Sequence, residues 1–181
     1  METDKDFLHG RRVLVGTVHG VIEGDLALGP QLRTLDYLNR TTTRFVSLRA
    51  ARPVSPGTSL QGEAVHVNIE SIFWVAEVEA MRRAGGVAVK PQLNRSAVRL
   101  CFPDWEILGF LHTPMQGDPF ARLNQERCPF IAVTSASIIG SDTERAAAFL
   151  AVNSRQVFTV ELLADEETVE EEAQAFEETG S

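Results

Sequence analysis

The chain reads "DYLNRTTTRFVSL" from Asp36 to Leu48, and it reads "ARLNQERCPFIAV" from Ala121 to Val133. Each stretch has Leu-Asn, five further residues, and then Phe followed by a β-branched residue. Corresponding residues of the two stretches lie 85 positions apart. This constant spacing predicts that the architecture was built by duplicating one unit.

The same offset extends well beyond the two stretches. Residues 13–78 align with residues 98–163 without a gap and give 14 identities in 66 positions. Unrelated segments of ordinary composition would match at roughly one position in fifteen. A solenoid repeat usually has a period of about 20–50 residues, so a longer period favours two small domains in tandem.

Composition and length are those of an ordinary globular protein. The chain has 181 residues, of which 44% are hydrophobic, enough for one medium domain or two small ones. No apolar run approaches the roughly 18 residues that a membrane span needs, and the N-terminus lacks the apolar core of a secretory signal. We therefore expect a cytoplasmic protein without membrane insertion, in which Cys101 and Cys128 are free thiols.

The charge is concentrated at the ends of the chain. Residues 164–181 carry eight acidic residues and no base, and residues 1–6 carry a net −2, so the total of −8 leaves about +2 for residues 7–163. An acidic run of this kind is usually a solvated tail. Val169, Ala173 and Phe176 also fit one side of a helix, so a docking helix stays open.

Turn signals divide each copy into about five short strands and one short helix. Strands at this spacing are typical of a small β-barrel or sandwich, so the predicted fold is mainly β with two such domains in tandem. Gly-Gly and Lys-Pro mark a linker between them. The predicted organisation is an N-terminal extension 1–12, β domain 13–80, linker 81–97, β domain 98–163 and acidic tail 164–181.

Glycine and asparagine recur at equivalent places and predict turns. Gly24 and Gly109 interrupt strands, which is typical of a β-bulge or a close backbone approach. Asn39 and Asn124 follow short helices that we expect to begin near Pro30 and Pro119, so we expect them to take a left-handed conformation at the helix end. Two further asparagines should form the turns of tight hairpins, namely Asn68 and Asn153.

Aromatic residues supply candidates for an interface. Phe73 and Phe158 correspond to each other and should both point into the core. Trp74 lies next to Phe73 in a strand and should therefore face the other way, toward solvent or a partner. Trp105 and Phe176 are the further interface candidates.

The repeated pattern resembles a bacterial family of small, functionally uncharacterised all-β domains. The matching residues of copy one are Arg33, Leu35, Asp36, Leu38, Asn39, Phe45, Val67 and Asn68, and those of copy two are Leu123, Asn124, Phe130, Ile131, Val152 and Asn153. Copy two lacks the Arg and the Asp, and the resemblance implies no established chemistry. The strand count is also similar to that of Sm-like barrels, which build rings and often bind RNA.

The sequence carries no recognisable catalytic or metal-binding motif. The four histidines lack metal-ligand spacing, and Cys-x-x-Cys, His-Glu-x-x-His and Gly-x-Ser-x-Gly are missing from the sequence. Two groups of polar residues lie close together in the sequence, and neither is repeated in the other copy. Copy one has His19, Glu23 and Asp25, and copy two has Cys101, Asp104 and His112. We therefore predict no catalytic residue, no metal and no cofactor.

Arginines of copy one offer the best case for nucleic acid. Such side chains could contact phosphates, but the sequence has only two lysines, Lys5 and Lys90, and an acidic tail that opposes a polyanion. We expect these arginines to pair with nearby acids, so nucleic-acid binding is the less favoured hypothesis. The arginines concerned are Arg33, Arg40, Arg44, Arg49 and Arg52.

Three functions are therefore ranked. A non-enzymatic interaction, scaffold or assembly protein comes first, with a protein partner, self-assembly or both. An Sm-like RNA-binding protein that uses the copy-one arginines comes second. A small-molecule enzyme comes third.

Overall fold

The computed structural model describes residues 10–29, 32–54, 60, 62, 64–78, 93–114, 117–125, 127–140 and 144–163. Strands dominate these residues, so the prediction of a mainly β fold is confirmed. In chain order the elements are β1 Gly10–Thr17, β2 Gly20–Ala27, α1 Thr34–Arg40, β3 Phe45–Pro53, β4 Ala64–Asn68, β5 Ile72–Glu77, β6 Leu93–Cys101, β7 Trp105–Pro114, α2 Pro119–Leu123, β8 Phe130–Gly140, β9 Glu144–Asn153 and β10 Thr159–Leu162.

All ten strands belong to one antiparallel sheet with the order β10-β6-β7-β8-β9-β5-β1-β2-β3-β4. The first half of the chain (residues 10–78) supplies β5-β1-β2-β3-β4, and the second half (residues 93–163) supplies β10-β6-β7-β8-β9. The halves therefore have the same internal strand order. They meet where β5 pairs with β9, through the residue pairs Trp74↔Val152, Val75↔Ala151 and Ala76↔Leu150.

The expectation of a closed barrel or of two-sheet sandwiches is wrong for the described residues. A five-stranded barrel would close by pairing its fifth strand with its fourth, but β5 pairs with β9 and leaves β4 at one edge of the sheet. By the same arrangement β10 forms the other edge. The sheet is continuous and open because the fifth strand of the first half takes its partner from the second half.

Two predicted boundaries also differ from the structure. β1 begins at Gly10, inside the predicted extension 1–12, and β6 begins at Leu93, inside the predicted linker 81–97. Both strands extend further because β1 pairs with β2 from Gly10 onward and β6 pairs with β7 from Leu93 onward. The acidic tail 164–181 lies outside the described residues.

A β-bulge lies at Gly24. The pairing of β2 with β3 jumps from Glu23↔Arg52 to Asp25↔Arg49, so Gly24 faces two residues, of which Ala50 has a φ of 44°. A bulge of this kind bends a strand and increases its twist. A Cβ on Gly24 would lie 3.0 Å from the Cβ of Leu48, so the close approach of β3 favours glycine.

The second half repeats this feature at Gly109. The pairing of β7 with β8 jumps from Leu108↔Ser137 to Phe110↔Thr134, and Ser135 has a φ of 47°. A Cβ on Gly109 would lie 2.6 Å from Val133 Cγ1, which is closer than two non-bonded carbon atoms can approach.

The hydrophobic core crosses the junction between the halves. One cluster of buried residues joins Phe73 and Trp74 of the first half to Ile107 and Leu150 of the second. Another joins the first half to Phe130 and Ala151. Burying one such large side chain stabilises a fold by about 1.5–3 kcal/mol, so separating the halves would expose a substantial apolar surface.

Gly109→Ala should destabilise the protein because the new methyl group would collide with Val133 and with the carbonyl oxygen of Thr134, 3.0 Å away. We expect the free energy of unfolding, measured by urea denaturation, to fall by about 1–3 kcal/mol. Gly29→Ala is the matched control, since a Cβ there would meet no atom within 4 Å. Equal losses for the two variants would contradict the assigned role of Gly109.

Candidate interaction surfaces

Asn39 connects the two halves of the chain. Its Nδ2 donates to the carbonyl oxygen of Phe130 at 2.8 Å, and its Oδ1 accepts from the backbone N–H of Phe130 at 2.9 Å. An amide has one donor and one acceptor side by side, so it can pair with a strand as a peptide group does. Phe130 is only 1% exposed, and its backbone groups therefore need partners within the protein.

The predicted role of Asn39 as a left-handed helix end is wrong. Asn39 lies within α1, and the residue that caps this helix, Thr41, has the extended angles φ −65° and ψ 132°. Asn124 does follow α2, but its φ of −86° is not left-handed either. The chain leaves both helices without the left-handed turn for which asparagine was expected.

Asn153 makes a second connection between the halves. Its Nδ2 donates to the carbonyl oxygen of Ile72 at 2.9 Å and lies 3.5 Å from that of Ile69. Its Oδ1 accepts from the backbone N–H of Arg155, and so caps a single 3₁₀ turn, Ser154–Gln156. Asn153 is only 3% exposed, so these bonds form in a buried site.

Asn68 and Asn124 occupy the corresponding positions and are less engaged. Asn68 Oδ1 accepts from the backbone N–H of Glu70 and caps the matching 3₁₀ turn, Ile69–Ser71. Within the described ranges, no hydrogen bond is formed by Asn68 Nδ2 or by the side chain of Asn124, which is exposed. Asn68 and Asn153 do lie at turns, but the predicted tight hairpins are wrong, because β4 does not pair with β5 and β9 does not pair with β10. The connection that Asn153 makes to the other half takes the place of a hairpin partner.

Trp74 is not the exposed interface residue that the sequence predicted. Its exposed fraction is 0%, and that of Trp105 is 7%. The two rings meet edge to face with centroids 5.6 Å apart, a favourable aromatic geometry. The pairing of β1 with β5 skips Phe73, so this bulge breaks the alternation and Trp74 joins the same core cluster as Phe73. Phe176 lies outside the described residues.

A cleft of about 230 Å³ opens at the junction of the halves. The asparagine amides that line it already bond backbone groups, so they leave little capacity for a ligand. Its lining combines α1, both 3₁₀ turns and the start of β8: Leu38, Asn39, Thr41, Ile69, Glu70, Arg127, Pro129, Phe130, Asn153, Arg155 and Gln156.

Exposed apolar side chains lie near both edges of the sheet. Phe158 and Leu162 are 82% and 48% exposed at the β10 edge, and Phe45 is 48% exposed beside the β4 edge. The prediction that Phe158 points into the core is wrong. Its counterpart Phe73 is only 4% exposed because β5 has a neighbouring strand that β10 lacks.

The five arginines proposed for nucleic acid are all exposed, and Arg52 pairs with Glu23. Arg52 donates to Glu23 Oε2 at 2.7 Å, while Arg12 donates to Glu23 Oε1 at 2.8 Å and lies 3.2 Å from Asp25 Oδ1. Arg44 lies over the ring of Phe45. Arg33, Arg40 and Arg49 lie at the start of α1, at its end and on β3, respectively.

The environment of Glu23 favours its charged form. Burial raises its pKa, but the hydrogen bonds from Arg12 and then Arg52 outweigh that effect, so the pKa is lowered from its ordinary value of 4.5. The corresponding residue of the second half is Leu108, so this charged cluster belongs to the first half alone.

Other candidate chemistry is sparse among the described residues. His112 Nε2 lies 2.6 Å from Thr134 Oγ1, and burial, followed by the positive charge of Arg95, lowers the pKa of His112. No group of three or more His, Cys, Asp or Glu side chains could hold a metal ion in this part of the chain. Cys101 and Cys128 are free thiols in the structure.

Comparison with protein-family models, with curated proteins and with solved structures found no match to this chain. Among the described residues, neither helix has the length and apolar character required to cross a membrane.

Asn39→Ala should destabilise the protein, because it leaves the buried N–H and carbonyl of Phe130 without partners. We expect a loss of roughly 2 kcal/mol or more in the free energy of unfolding, measured by urea denaturation at low protein concentration. Asn124→Ala is the matched control and should change this free energy by less than about 0.5 kcal/mol. A loss at Asn124 as large as at Asn39 would refute this difference.

Glu23→Gln should make the free energy of unfolding depend less on pH in the acidic range. Because folding lowers the Glu23 pKa, the charged carboxylate stabilises the fold above pH 4.5, and this contribution disappears as pH falls through 4.5 and then the lower folded value. The variant should therefore lose about 1 kcal/mol at pH 7 and show less further loss than the wild type on acidification.

Urea denaturation from pH 7 to pH 3 measures this effect. Glu106→Gln is the control, since the nearest arginine nitrogen, Arg99 Nε, lies 4.0 Å away and the carboxylate is 52% exposed. Parallel pH profiles for wild type and Glu23→Gln would show that the cluster contributes no net stability.

Proposed function

We propose that this chain is a non-enzymatic interaction or scaffold protein, built from two tandem copies of one small β unit, that binds protein through the edges of its sheet. The duplication is supported by the equal strand order of the two halves and by the bulges at Gly24 and Gly109. Positive φ values at Ala50 and Ser135, again 85 positions apart, support the same origin.

The observation that carries the proposal is the exposure of apolar side chains at sheet edges. An edge strand presents unpaired backbone N–H and C=O groups, and natural proteins usually protect such edges with charges, proline or a covering segment. Here Phe158 and Leu162 stand exposed at one edge and Phe45 beside the other. Unpaired backbone next to apolar side chains is the chemistry that strand addition by a protein partner requires.

RNA binding through the exposed arginines is the less supported alternative. Glu23 already engages Arg52 and Arg12, and the sequence outside its acidic ends carries a net charge of only about +2. Affinity for nucleic acid depends on positive charges that neutralise phosphates, so this surface would attract a polyanion only weakly.

Phe158→Asp should abolish partner binding if the edges are used. The tagged full-length protein and this variant would be expressed in the native cells, cross-linked and purified, and the bound proteins and nucleic acid quantified by mass spectrometry and RNA sequencing. We expect specific protein partners, other copies of this chain included, to fall at least tenfold in the variant, because a charge now occupies the apolar edge.

Val18→Asp is the matched control, since Val18 is 51% exposed but lies between β1 and β2, away from both edges. Unchanged partners in Phe158→Asp would refute edge binding. RNA recovered equally with wild type and Phe158→Asp, and lost when Arg40 and Arg44 are replaced, would favour the alternative.

A further inference from the structure

The junction inside the chain provides a template for a contact between chains. It consists of the β5–β9 pairing, the double hydrogen bond of Asn39 to the Phe130 backbone, and the bond of Asn153 to Ile72. In this junction the first half supplies its fifth strand and the second half its fourth. The second half's own fifth strand, β10, and the first half's own fourth strand, β4, are left as edges.

The residues that make the junction have counterparts at these edges. Equivalent positions of the two halves lie 85 residues apart. Asn39 corresponds to Asn124, Phe130 to Phe45 and Asn153 to Asn68, so all three residue types are the same at the edges. The acceptor Ile72 corresponds to Val157, whose contribution would be its backbone carbonyl and therefore does not depend on the side chain.

Exposure separates the two sets of residues. Phe130 and Phe73 are 1% and 4% exposed in the junction, whereas their counterparts Phe45 and Phe158 are 48% and 82% exposed. Phe120 of α2 is 39% exposed, and its counterpart Leu35 of α1 packs against the core cluster that includes Phe130. The edges thus carry the apolar residues of a junction that has not formed.

We propose that β10 of one chain pairs antiparallel with β4 of a second copy of the same chain and reproduces this junction between molecules. This inference rests on the proposed function and names the partner. The register follows from the internal pairs and is Thr159↔Val67, Val160↔His66 and Glu161↔Val65.

The asparagines complete the intermolecular contact. Asn124 of one chain bonds the N–H and carbonyl of Phe45 in the next. The Phe45 carbonyl already accepts from the Thr43 hydroxyl at 3.0 Å, and a carbonyl oxygen has a second lone pair for Asn124. Asn68 Nδ2 donates to the carbonyl of Val157, while its Oδ1 keeps the cap on Glu70, as Asn153 does in the internal junction.

The free edge of β10 has backbone groups in the required positions. Leu163 donates its N–H to the Ala97 carbonyl on β6 at 2.9 Å, in the same register as the pairs Thr159↔Cys101 and Glu161↔Arg99. Successive residues of a strand direct their backbone groups to opposite sides, so Val160 directs its N–H and carbonyl away from β6. Val75, its counterpart, is aligned with Ala151 of β9 in the internal junction.

Such a contact is heterologous, because each chain offers β10 to one neighbour and β4 to another. Heterologous contacts generate a ring when the rotation closes and a filament when it does not. Either form supports the inference, since both repeat one junction.

The mass of the purified full-length protein in solution is the first test, measured by sedimentation velocity and multi-angle light scattering across a hundredfold concentration range. We expect assemblies of two or more chains. Val160→Pro should reduce them to monomers, because it removes one outward N–H and leaves the bonds to β6 intact. Val160→Thr keeps that N–H and should assemble as the wild type does.

Asn124→Ala tests the side-chain part of the junction. It should weaken association at least tenfold while the circular dichroism spectrum stays unchanged. Gln125→Ala is a neighbouring exposed control and should leave association as it is.

Register is tested by a disulfide between His66→Cys and Val160→Cys in one chain. The protein is mixed from isotopically light and heavy chains and then oxidised. Mass spectrometry should find the 66–160 peptide pair carrying one light and one heavy partner, whereas Glu144→Cys with Val160→Cys should give none.

The outcomes separate this inference from the proposed function. A wild-type protein that stays monomeric throughout the concentration range, or an oligomer unaffected by Val160→Pro and Asn124→Ala, overturns the inference. If the chain is monomeric but Phe158→Asp still abolishes capture of a different protein, the proposed function survives and only the identity of the partner is wrong.

Discussion

The antiparallel pairing of β5 with β9 determines the arrangement of the whole molecule. Once β5 takes β9 as its neighbour, it is no longer available to β4, and the two halves become parts of one sheet. Both tryptophans are buried close to this junction, and Asn39 supplies a hydrogen-bonding pair to Phe130, which has β9 on one side but no β7 residue paired with it on the other. Because α1 supplies these bonds, the buried N–H and carbonyl of Phe130 have partners at the start of β8.

Local sequence predicted the strands well because each carries its own signal. Each half has the five strands and the one short helix that the turn signals predict, and the interrupting glycines fall at the two bulges. These features depend on the residues nearest in the chain, or on a close approach that only glycine permits.

The pairing of the halves could not be predicted from the same signals. β4 and β9 are equivalent in sequence, so β5 could add to either with similar local chemistry. Phe73 and Phe158 illustrate the consequence: the same residue at the same place in the pattern is buried in one half and exposed in the other. The predicted direction of Trp74 was wrong for another reason, since the bulge at Phe73 breaks the alternation of the strand and places both residues in one core cluster. The asparagines were assigned to turns since their long-range partners lie 91 and 81 positions away.

The residue types at equivalent positions of the two halves indicate which surfaces take part in binding. The positions of Arg12, Glu23 and Arg52 are occupied by Ala97, Leu108 and Ser137 in the second half, so the charged cluster has no counterpart there. Asn124, Asn68 and Phe45 keep the residue types of Asn39, Asn153 and Phe130, although among the described residues only Asn39 and Asn153 bond across the junction between the halves. An exposed asparagine such as Asn124 contributes little to the stability of the isolated subunit, so folding alone gives no physical reason for it to match Asn39. A second junction, made with another molecule, supplies that reason, because there the same amide would again meet the backbone of a phenylalanine at the start of a strand.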